Sequence, residues 1–285
     1  MESNFILHAK SKEFYWEGQG QLSIKTFSNG IAHYRTNQGF FAVEDSRFLL
    51  LNPGDYAISI ESDQEVESFC LFFQPGFAED IQRSMNERNG PLLDDPFKPI
   101  IDQSGFFEKT YEMPPGLSTL LDQMKSGFAQ HEGDHIWREE YFQHIMQHLL
   151  LSQKESLAKV HSLSAERTAT KLEIFHRVSI AHDYIQAYFH LPITLEQIGK
   201  ASGLSTNHLL RTYRAIHGTT PHKQITSLRM ERAKKLLKYT GSSMMDITLD
   251  IGLCNPVSFS KLFRKHTGLS PSEYRKKVIL DKNFF

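Results

Sequence analysis

Residues 198–221 read IGKASGLSTNHLLRTYRAIHGTTP, and residues 247–271 read ITLDIGLCNPVSFSKLFRKHTGLSP, which is the same pattern written a second time. The first matched positions, at a shift of 49, are Ile198 with Ile247, Gly203 with Gly252 and Leu204 with Leu253. Each copy predicts a helix, a turn at glycine and a second helix with its own apolar stripe, which is typical of a helix-turn-helix. A repeat of this length favours two such units in the C-terminal part of the chain.

The second helix of the first copy is predicted to run from about Ser205 to Ala215. Leu209 and Tyr213 are four residues apart, so they share a face that we expect to be buried. Ser205 is expected to be the N-cap, with its hydroxyl accepting hydrogen bonds from amides of the first turn. The side chains predicted to point outward and bind DNA are Ser205, Thr206, Asn207, Leu210, Arg211 and Arg214.

In the second copy, Phe259 and Phe263 are the corresponding inward residues. The side chains predicted to point outward and bind DNA are Pro256, Val257, Ser260, Lys261 and Arg264. Arginine can make a bidentate contact to guanine and asparagine to adenine, so such faces suit base reading in the major groove. A merely solvated helix face has the same polarity, but the repetition and the basic surroundings favour DNA.

Between the copies, residues from Pro221 to Leu237 predict one long helix with proline in its first turn. A helix of about 17 residues is about 25 Å long. Such a helix can hold two recognition helices near the spacing of one DNA turn, about 34 Å.

The charge of the chain is distributed unevenly. Residues 1–155 have a net charge of −12 and residues 156–285 a net charge of +11, although the whole chain is at −1. An acidic half joined to a basic half indicates that only the C-terminal half faces a polyanion. Variation for solubility alone remains an alternative, and the repeat favours nucleic acid.

The N-terminal half has the pattern of a β domain. Residues 20–73 predict many short strands with frequent turns, which suits a sandwich or small barrel. The turn Ser28-Asn29-Gly30 separates two apolar runs and predicts a hairpin. Two apolar helices follow, over residues 117–128 and about 135–153. Their apolar faces predict packing against the sheet or each other, or alternatively an interface with a second subunit.

The C-terminal half resembles the AraC/XylS family of bacterial transcription regulators. The segments that carry the resemblance are 198–205, 218–221, 228–237, 247–253, 258–265 and 271–275. The resemblance implies base contacts by Asn207, Leu210 and Arg211 in the first copy. In the second copy it implies contacts by Pro256, Val257, Ser260 and Lys261. Because Pro256 and Val257 have no hydrogen-bonding side chain, the second copy is predicted to read its half-site mainly by shape and methyl contacts.

The N-terminal half is similar to the cupin-like sensor domain of that family, including the turn Asn52-Pro53-Gly54-Asp55. This similarity implies that the domain binds a small effector, dimerises, or does both. The barrel interior is the default pocket. His33 and Arg35 are two apart on a predicted strand, so they share a face and are candidate ligands for an anionic effector. Exposure of this face to solvent is the alternative.

The predicted fold class is therefore α+β multidomain. Residues 1–155 form a cupin-like β-barrel for sensing and dimerisation, with a helical dimerisation layer, and residues 156–171 form a linker. Residues 172–285 form an all-α domain with two helix-turn-helix units joined by a long helix. The predicted function is a sequence-specific, effector-responsive transcription regulator whose partners are double-stranded DNA, RNA polymerase and a second copy of the chain. The alternatives are a regulator whose N-terminal domain only dimerises, and a cupin-type enzyme with a DNA-binding tail.

Catalysis, cofactors and metals are not predicted. Residues 1–130 contain only two histidines, His8 and His33, which is too few for a typical barrel metal site. Residues 131–135 match the H-E-x-x-H pattern of zinc proteases. However, Gly133 and Asp134 are expected to separate two helices, so the histidines would not share one helical face. His144 and His148 are one helical turn apart, but the sequence supplies no third ligand.

The remaining features predict a cytoplasmic protein with no membrane partner. Cys70 and Cys254 are too few for a disulfide framework or a cysteine zinc site, which favours a reducing compartment. No secretory signal pattern is evident at the start, and no apolar run approaches the ~18 residues of a membrane span.

Overall fold

A computed structural model describes residues 3–87, 105–163 and 167–282 of the chain. The chain divides into two compact units, Met1–His176 and Arg177–Phe285. The boundary falls inside one helix, Thr168–Tyr188.

The described part of the first unit contains seven strands and the helices that cover them. The strands are β1 (Phe5–Gly20), β2 (Ser23–Ser28), β3 (Ala32–Thr36), β4 (Gly39–Val43), β5 (Arg47–Leu51), β6 (Gly54–Phe72) and β7 (Lys109–Glu112). The helices are α1 (Phe77–Glu87), α2 (Pro115–Gly127), α3 (His135–His161) and the first part of α4 (Thr168–Tyr188). All strand pairs are antiparallel, and the sheet curls into a nearly closed β-barrel. The predicted β domain is therefore confirmed as a barrel.

The predicted hairpin at Ser28-Asn29-Gly30 is wrong, because β2 and β3 do not pair with each other. Strand β6 is 19 residues long, and β1 pairs with one of its edges over almost the whole length. Its other edge pairs with β2 near residues 67–72 and with β3 near residues 56–59. The chain turns between these two positions at Asn29, which has a φ of 64° and donates its amide to Asp45.

Both faces of the sheet are buried in separate cores. One core lies inside the barrel and includes Tyr34, Leu49, Tyr56, Cys70 and Phe72. The other lies between the sheet and α1, α2 and α3, where the helices contribute Leu117, Leu121, Met124, Phe142, Ile145, Met146 and Leu149. The apolar stripes predicted on α2 and α3 therefore pack against the chain's own sheet. This was one of the alternatives, and dimerisation through these helices remains a prediction.

Most of the described residues of the predicted linker, 156–163 and 167–171, lie in helices. Helix α3 continues to His161, and α4 begins at Thr168. The sequence suggested a linker because apolar residues are sparse, but Val160 and Leu163 are buried.

Glu67 connects three elements of the first unit. Its carboxylate accepts hydrogen bonds from Lys125 of α2 at 2.5 Å and from Ser28 of β2 at 3.1 Å. The ring of His8 on β1 lies 2.8 Å from the same carboxylate. The hydrogen bond from Lys125 is the main cause that lowers the pKa of Glu67 from 4.5 to about 2, and the His8 contact adds to it.

We expect Glu67→Gln to destabilise the protein in a pH-dependent way. Because the folded-state pKa is depressed, the stabilisation is present above pH 4.5 and is lost as the pH falls toward about 2. At pH 7 the free energy of unfolding of the variant should be about 1–3 kcal/mol lower than that of the wild type. This difference between variant and wild type should become smaller toward pH 3. Denaturant unfolding at the two pH values measures this, with exposed Glu65→Gln as the control. A gap that is the same at both values would contradict the prediction.

The second unit consists of helices. After α4 come α5 (Leu195–Ser202), α6 (Thr206–His217), α7 (Pro221–Tyr239), α8 (Met244–Asp250), α9 (Pro256–Thr267) and α10 (Pro271–Lys282). The long helix predicted from Pro221 begins at that residue and ends two residues beyond the predicted Leu237. Residues of α7, α8 and α9 share one apolar core, which includes Met230, Leu237, Ile247, Phe259 and Phe263.

Candidate nucleic-acid interface

The first helix pair, α5 and α6, is fixed by its caps and its turn. Thr194 and Gln197 form a capping box at the start of α5. Gly203 ends α5 in the left-handed conformation with a φ of 65°, which a glycine adopts without strain. Leu209 and Tyr213 of α6 are fully buried, as their spacing predicts. The opposite face of α6 is therefore the face available to a partner.

The residues predicted to point outward from α6 lie on that face. Ser205, Asn207, Arg211 and Arg214 are exposed, and Thr206 and Leu210 are half-buried. Asn207 and Arg211 are one helical turn apart, so their side chains lie next to each other along the exposed face. This pair presents an amide and a guanidinium side by side, groups that can contact the edges of adenine and guanine.

The second pair, α8 and α9, repeats the arrangement. Phe259 and Phe263 are fully buried and contact each other edge to face at 5.6 Å. Of the residues predicted to point outward, Val257, Ser260, Lys261 and Arg264 are exposed and Pro256 is half-buried. The exposed face of α9 thus carries an apolar residue near its start and basic residues further along.

The second helices of the two pairs, α6 and α9, begin differently. Ser205 is the N-cap of α6, but its side chain makes no capping hydrogen bond, so the predicted capping role of its hydroxyl is wrong. In α9 the Asn255 side chain accepts the amides of Val257 and Ser258, at 2.8 and 3.4 Å. Pro256 has no amide hydrogen. The first turn of α9 is thus satisfied within the chain, whereas the first-turn amides of α6 have no side-chain cap.

Helix α4 and the residues that follow it contact both helix pairs, α5 with α6 and α8 with α9. Arg177 donates to the carbonyl of Gly203 at 2.6 Å, and the hydroxyl of Tyr213 lies 2.8 Å from the His182 ring. After α4 ends, the carbonyls of Phe189 and Leu191 accept hydrogen bonds from Arg229 of α7, both at 2.8 Å. Although burial lowers the pKa of Arg229, a guanidinium keeps its charge in proteins. No signal in the sequence pointed to this role for Arg229.

Gly252 completes the contact with the end of α4. Its φ is 74°, and a Cβ atom there would lie 2.3 Å from the carbonyl oxygen of His190. The turn between α8 and α9 therefore passes so close to residues 189–191 that only glycine fits. This close approach, together with Arg229, fixes the second pair on α4.

In the first unit, His33 and Arg35 do share a face, but it is the exposed outer face of β3. Tyr34, between them, points into the barrel core, since side chains alternate along a strand. Arg35 lies 3.6 Å from Glu17, also at the surface. The two residues are therefore not placed to meet an effector inside the barrel. Instead, the side chain of Lys25 lies in the barrel core over the Phe72 ring, although the sequence did not single this lysine out.

The H-E-x-x-H match at residues 131–135 has the predicted broken geometry. Helix α2 ends at Gly127 and α3 begins at His135, with Asp134 as the N-cap that accepts the Trp137 amide. His131 stacks on Trp137 at 4.5 Å. Within residues 3–87, 105–163 and 167–282, no group of three or more potential metal-ligating side chains occurs. Over the same residues, no helix is long and apolar enough to cross a membrane.

The fold and the exposed faces of α6 and α9 define the chain as a helix-turn-helix DNA-binding protein. A family model described as a helix-turn-helix domain matches residues 198–277. The MmsAB operon regulatory protein of Pseudomonas aeruginosa is 35% identical over 265 residues, which cover 92% of this chain and 73% of that protein. The chain belongs to the AraC/XylS family of transcription regulators.

Two further relatives are also named as regulators. The HTH-type transcriptional regulator YisR of Bacillus subtilis is 24% identical over 262 residues, covering 87% of this chain and 83% of the relative. The lactose operon transcription activator of Staphylococcus xylosus is 31% identical over 134 residues. That match covers 46% of each chain, so this chain spans less than half of that relative.

Proposed function

We propose that the chain is a sequence-specific regulator that reads two neighbouring major-groove segments of double-stranded DNA with α6 and α9. The observation that carries the proposal is the same arrangement on both helices. One face is aromatic or apolar and buried, and the opposite face is exposed and mostly polar. Helix α7, with 19 residues, is about 28 Å long and joins the two helix-turn-helix units at a spacing suited to adjacent grooves.

The two units have unequal roles in this proposal. The side chains of Asn207 and Arg211 contact base edges and so distinguish the bases. The uncapped first-turn amides of α6 and the hydroxyls of Ser205 and Thr206 bind the phosphate backbone. On α9, Val257 makes methyl contacts, and Lys261 and Arg264 add charge. Because the start of α9 is already capped by Asn255, that helix end has fewer donors left for a phosphate. One half-site is therefore read by its bases and the other by its shape.

The first unit is proposed to form a homodimer and to respond to an effector in the barrel. Exposed apolar side chains on α3, Ile136 and Leu151, support a second copy as the partner and agree with the predicted helical dimerisation layer. Binding of the effector would change how the two DNA-binding units of a dimer are presented, and through this the recruitment of RNA polymerase. This role requires access to DNA and agrees with the predicted cytoplasmic location.

The experiment is a selection of random duplex DNA by the full-length chain, followed by affinity measurement at fixed salt. We expect one enriched sequence that binds at least about 10³-fold more tightly than random duplex. Sedimentation of the same preparation should give the mass of two chains. Binding without sequence enrichment would contradict the proposal of specific reading, and a monomer at the concentration of tight binding would contradict the dimer.

A further inference from the structure

Strand β1 forms a long edge of the sheet. It has 16 residues, and in the part of the chain that the structure describes it pairs with β6 only. Apolar side chains along it are partly open to solvent, since Leu7 is 42%, Phe14 44% and Trp16 38% exposed. A free edge presents backbone N–H and C=O groups that can pair with a further strand. The edge of β1 thus offers both hydrogen bonds and apolar surface to a partner.

The side chains of β1 change face in the middle of the strand. The pairing with β6 shifts between Ser11 and Glu13. Before this shift Leu7 lies opposite Cys70 of the barrel core, and after it Phe14 also lies opposite a core residue. The core-facing residues are therefore odd-numbered before the shift and even-numbered after it. Because paired residues lie on the same face of a sheet, a strand that pairs with both halves of β1 must change face at the same point.

A second copy of β1, running antiparallel, meets this condition. When the two shifts lie side by side, Lys12 of one copy is opposite Glu13 of the other. The first half of each strand then pairs with the second half of the other, and paired residues lie on the same face. A two-fold axis through the shift relates the two copies, which is the commonest symmetry of a homodimer.

The residues that this register brings together complement each other. On the core-facing side each large apolar residue is opposite a small one: Leu7 with Gly18, Phe14 with Ser11 and Trp16 with Ala9. On the outer side His8 is opposite Glu17, and Lys10 is opposite Tyr15. Lysines often keep a free edge unpaired, but here Lys12 has Glu13 of the second copy opposite it. Both shape and charge therefore favour this register over one with like groups opposed.

The start of β1 adjoins the exposed part of α3. Asn4, the residue before β1, donates a hydrogen bond to Glu139 of α3 at 3.1 Å. Ile136 lies about one helical turn before Glu139 and is 84% exposed. The edge of β1 and the apolar residue at the start of α3 are therefore neighbouring parts of one surface.

We propose that the first unit dimerises by pairing β1 with β1 of a second copy, so that the two sheets continue into each other across the two-fold axis. This rests on the homodimer of the proposed function and names its surface, with Ile136 at the margin of the contact. Backbone hydrogen bonds between the edges supply affinity, and the complementary side chains fix the register.

The register is tested by disulfide formation between two different variants. The background is Cys254→Ser, because Cys254 is exposed whereas Cys70 is buried. Full-length chains with Lys10→Cys and with Tyr15→Cys are produced together, with different affinity tags, and oxidised mildly in the cells. Cβ atoms of directly opposite residues are about 4.5–5.5 Å apart, close to the span of a disulfide. We expect a disulfide-linked pair that contains one chain of each kind.

Two controls make this result specific to the register. Each variant produced alone should stay unlinked, because equal positions of the two copies would be about 17 Å apart along the strands. Lys10→Cys combined with Glu17→Cys should link at least about tenfold more slowly, since diagonal neighbours are about 7–8 Å apart.

The contribution of the apolar contact is measured by sedimentation at several concentrations. Ala9→Glu places a carboxylate opposite Trp16 of the second copy and should weaken the dimer at least about tenfold. Ala169→Glu makes the same change at an exposed position of α4 and should leave the dimer unchanged. The disulfide test does not depend on the folding of Ala9→Glu, so the two measurements are independent.

The proposal is overturned if a dimeric wild type gives no link between the Lys10→Cys and Tyr15→Cys chains, or if the pair with Glu17→Cys links equally fast. It is also overturned if Ala9→Glu leaves the dimer unchanged. Disulfides to another protein, with none between the two chains, would assign the edge to a foreign strand and contradict it as well. A monomeric wild type would contradict the homodimer itself, and selection of a specific duplex by the same preparation reports separately on DNA reading.

Discussion

Gly252→Ala is expected to lower the free energy of unfolding by about 2–5 kcal/mol, the largest stability effect among these predictions. A left-handed alanine costs about 1–2 kcal/mol, and forcing an extra methyl into a packed site about 1–3 kcal/mol more. The added Cβ would lie 2.3 Å from the His190 carbonyl oxygen, which is backbone and cannot rotate away. Helices α8 and α9 would therefore shift from the end of α4.

Gly268→Ala is the matched control for this prediction. Gly268 has a φ of 80° and also belongs to the second pair, but no atom lies within 4 Å of its Cβ position. Gly268→Ala should therefore lower the free energy of unfolding only by the cost of placing an alanine in the left-handed conformation, about 1–2 kcal/mol. Denaturant unfolding of both variants measures the difference. Equal losses would mean that the contact between the turn and residues 189–191 does not hold the second pair.

Arg211→Ala is expected to weaken binding to the selected duplex by about 1–3 kcal/mol, or roughly 5- to 150-fold, and to relax the preference at one base pair. The reason is that Arg211 lies on the exposed face of α6, one turn from Asn207, where a guanidinium can contact a guanine edge. Binding to random duplex should change much less. Titrations of the selected duplex and of single-base variants measure both effects.

Two charge-matched variants separate base reading from general attraction. Lys261→Ala on α9 should weaken binding with little change in base preference, because α9 is proposed to read shape. Lys276→Ala, an exposed lysine of α10, should have a small and equal effect on selected and random duplex. If Arg211→Ala also weakens both duplexes equally, Arg211 contacts phosphate, and the proposed base reading by α6 is wrong at this position.

The sequence predicted the DNA-binding half in some detail because its signals are local. Apolar residues at helical spacing placed Leu209, Tyr213, Phe259 and Phe263 in the core, and Pro221 marked the start of α7. Capping was less predictable. Serine at an N-cap position usually caps, yet Ser205 does not and Asn255 does, because the choice depends on side-chain orientation as well as on residue type.

The barrel was less predictable because its pairings are not local. Asn29-Gly30 has the chemistry of a hairpin, but the length of β6 allows β2 and β3 to pair separately along one edge. The face of a strand that is buried also depends on its partners. His33 and Arg35 were correctly placed on one face, but the sequence did not say which. In the sequence, Lys25 looks like a solvent-facing lysine, because the sequence does not show that both faces of β2 are covered. Phe27 lies two residues later on the same face, and this apolar residue was a signal that the face is buried.

In the proposed function, one helix-turn-helix reads bases and the other reads shape. The most direct test is the affinity of the wild-type chain for a complete set of single-base substitutions across the selected duplex. The half-site of α6 is identified by the base pair at which Arg211→Ala loses its preference. Substitutions there should cost about 1–3 kcal/mol each, whereas those in the half-site of α9 should cost less than about 1 kcal/mol. Equal costs in the two halves, or larger costs in the half read by α9, would contradict the claim.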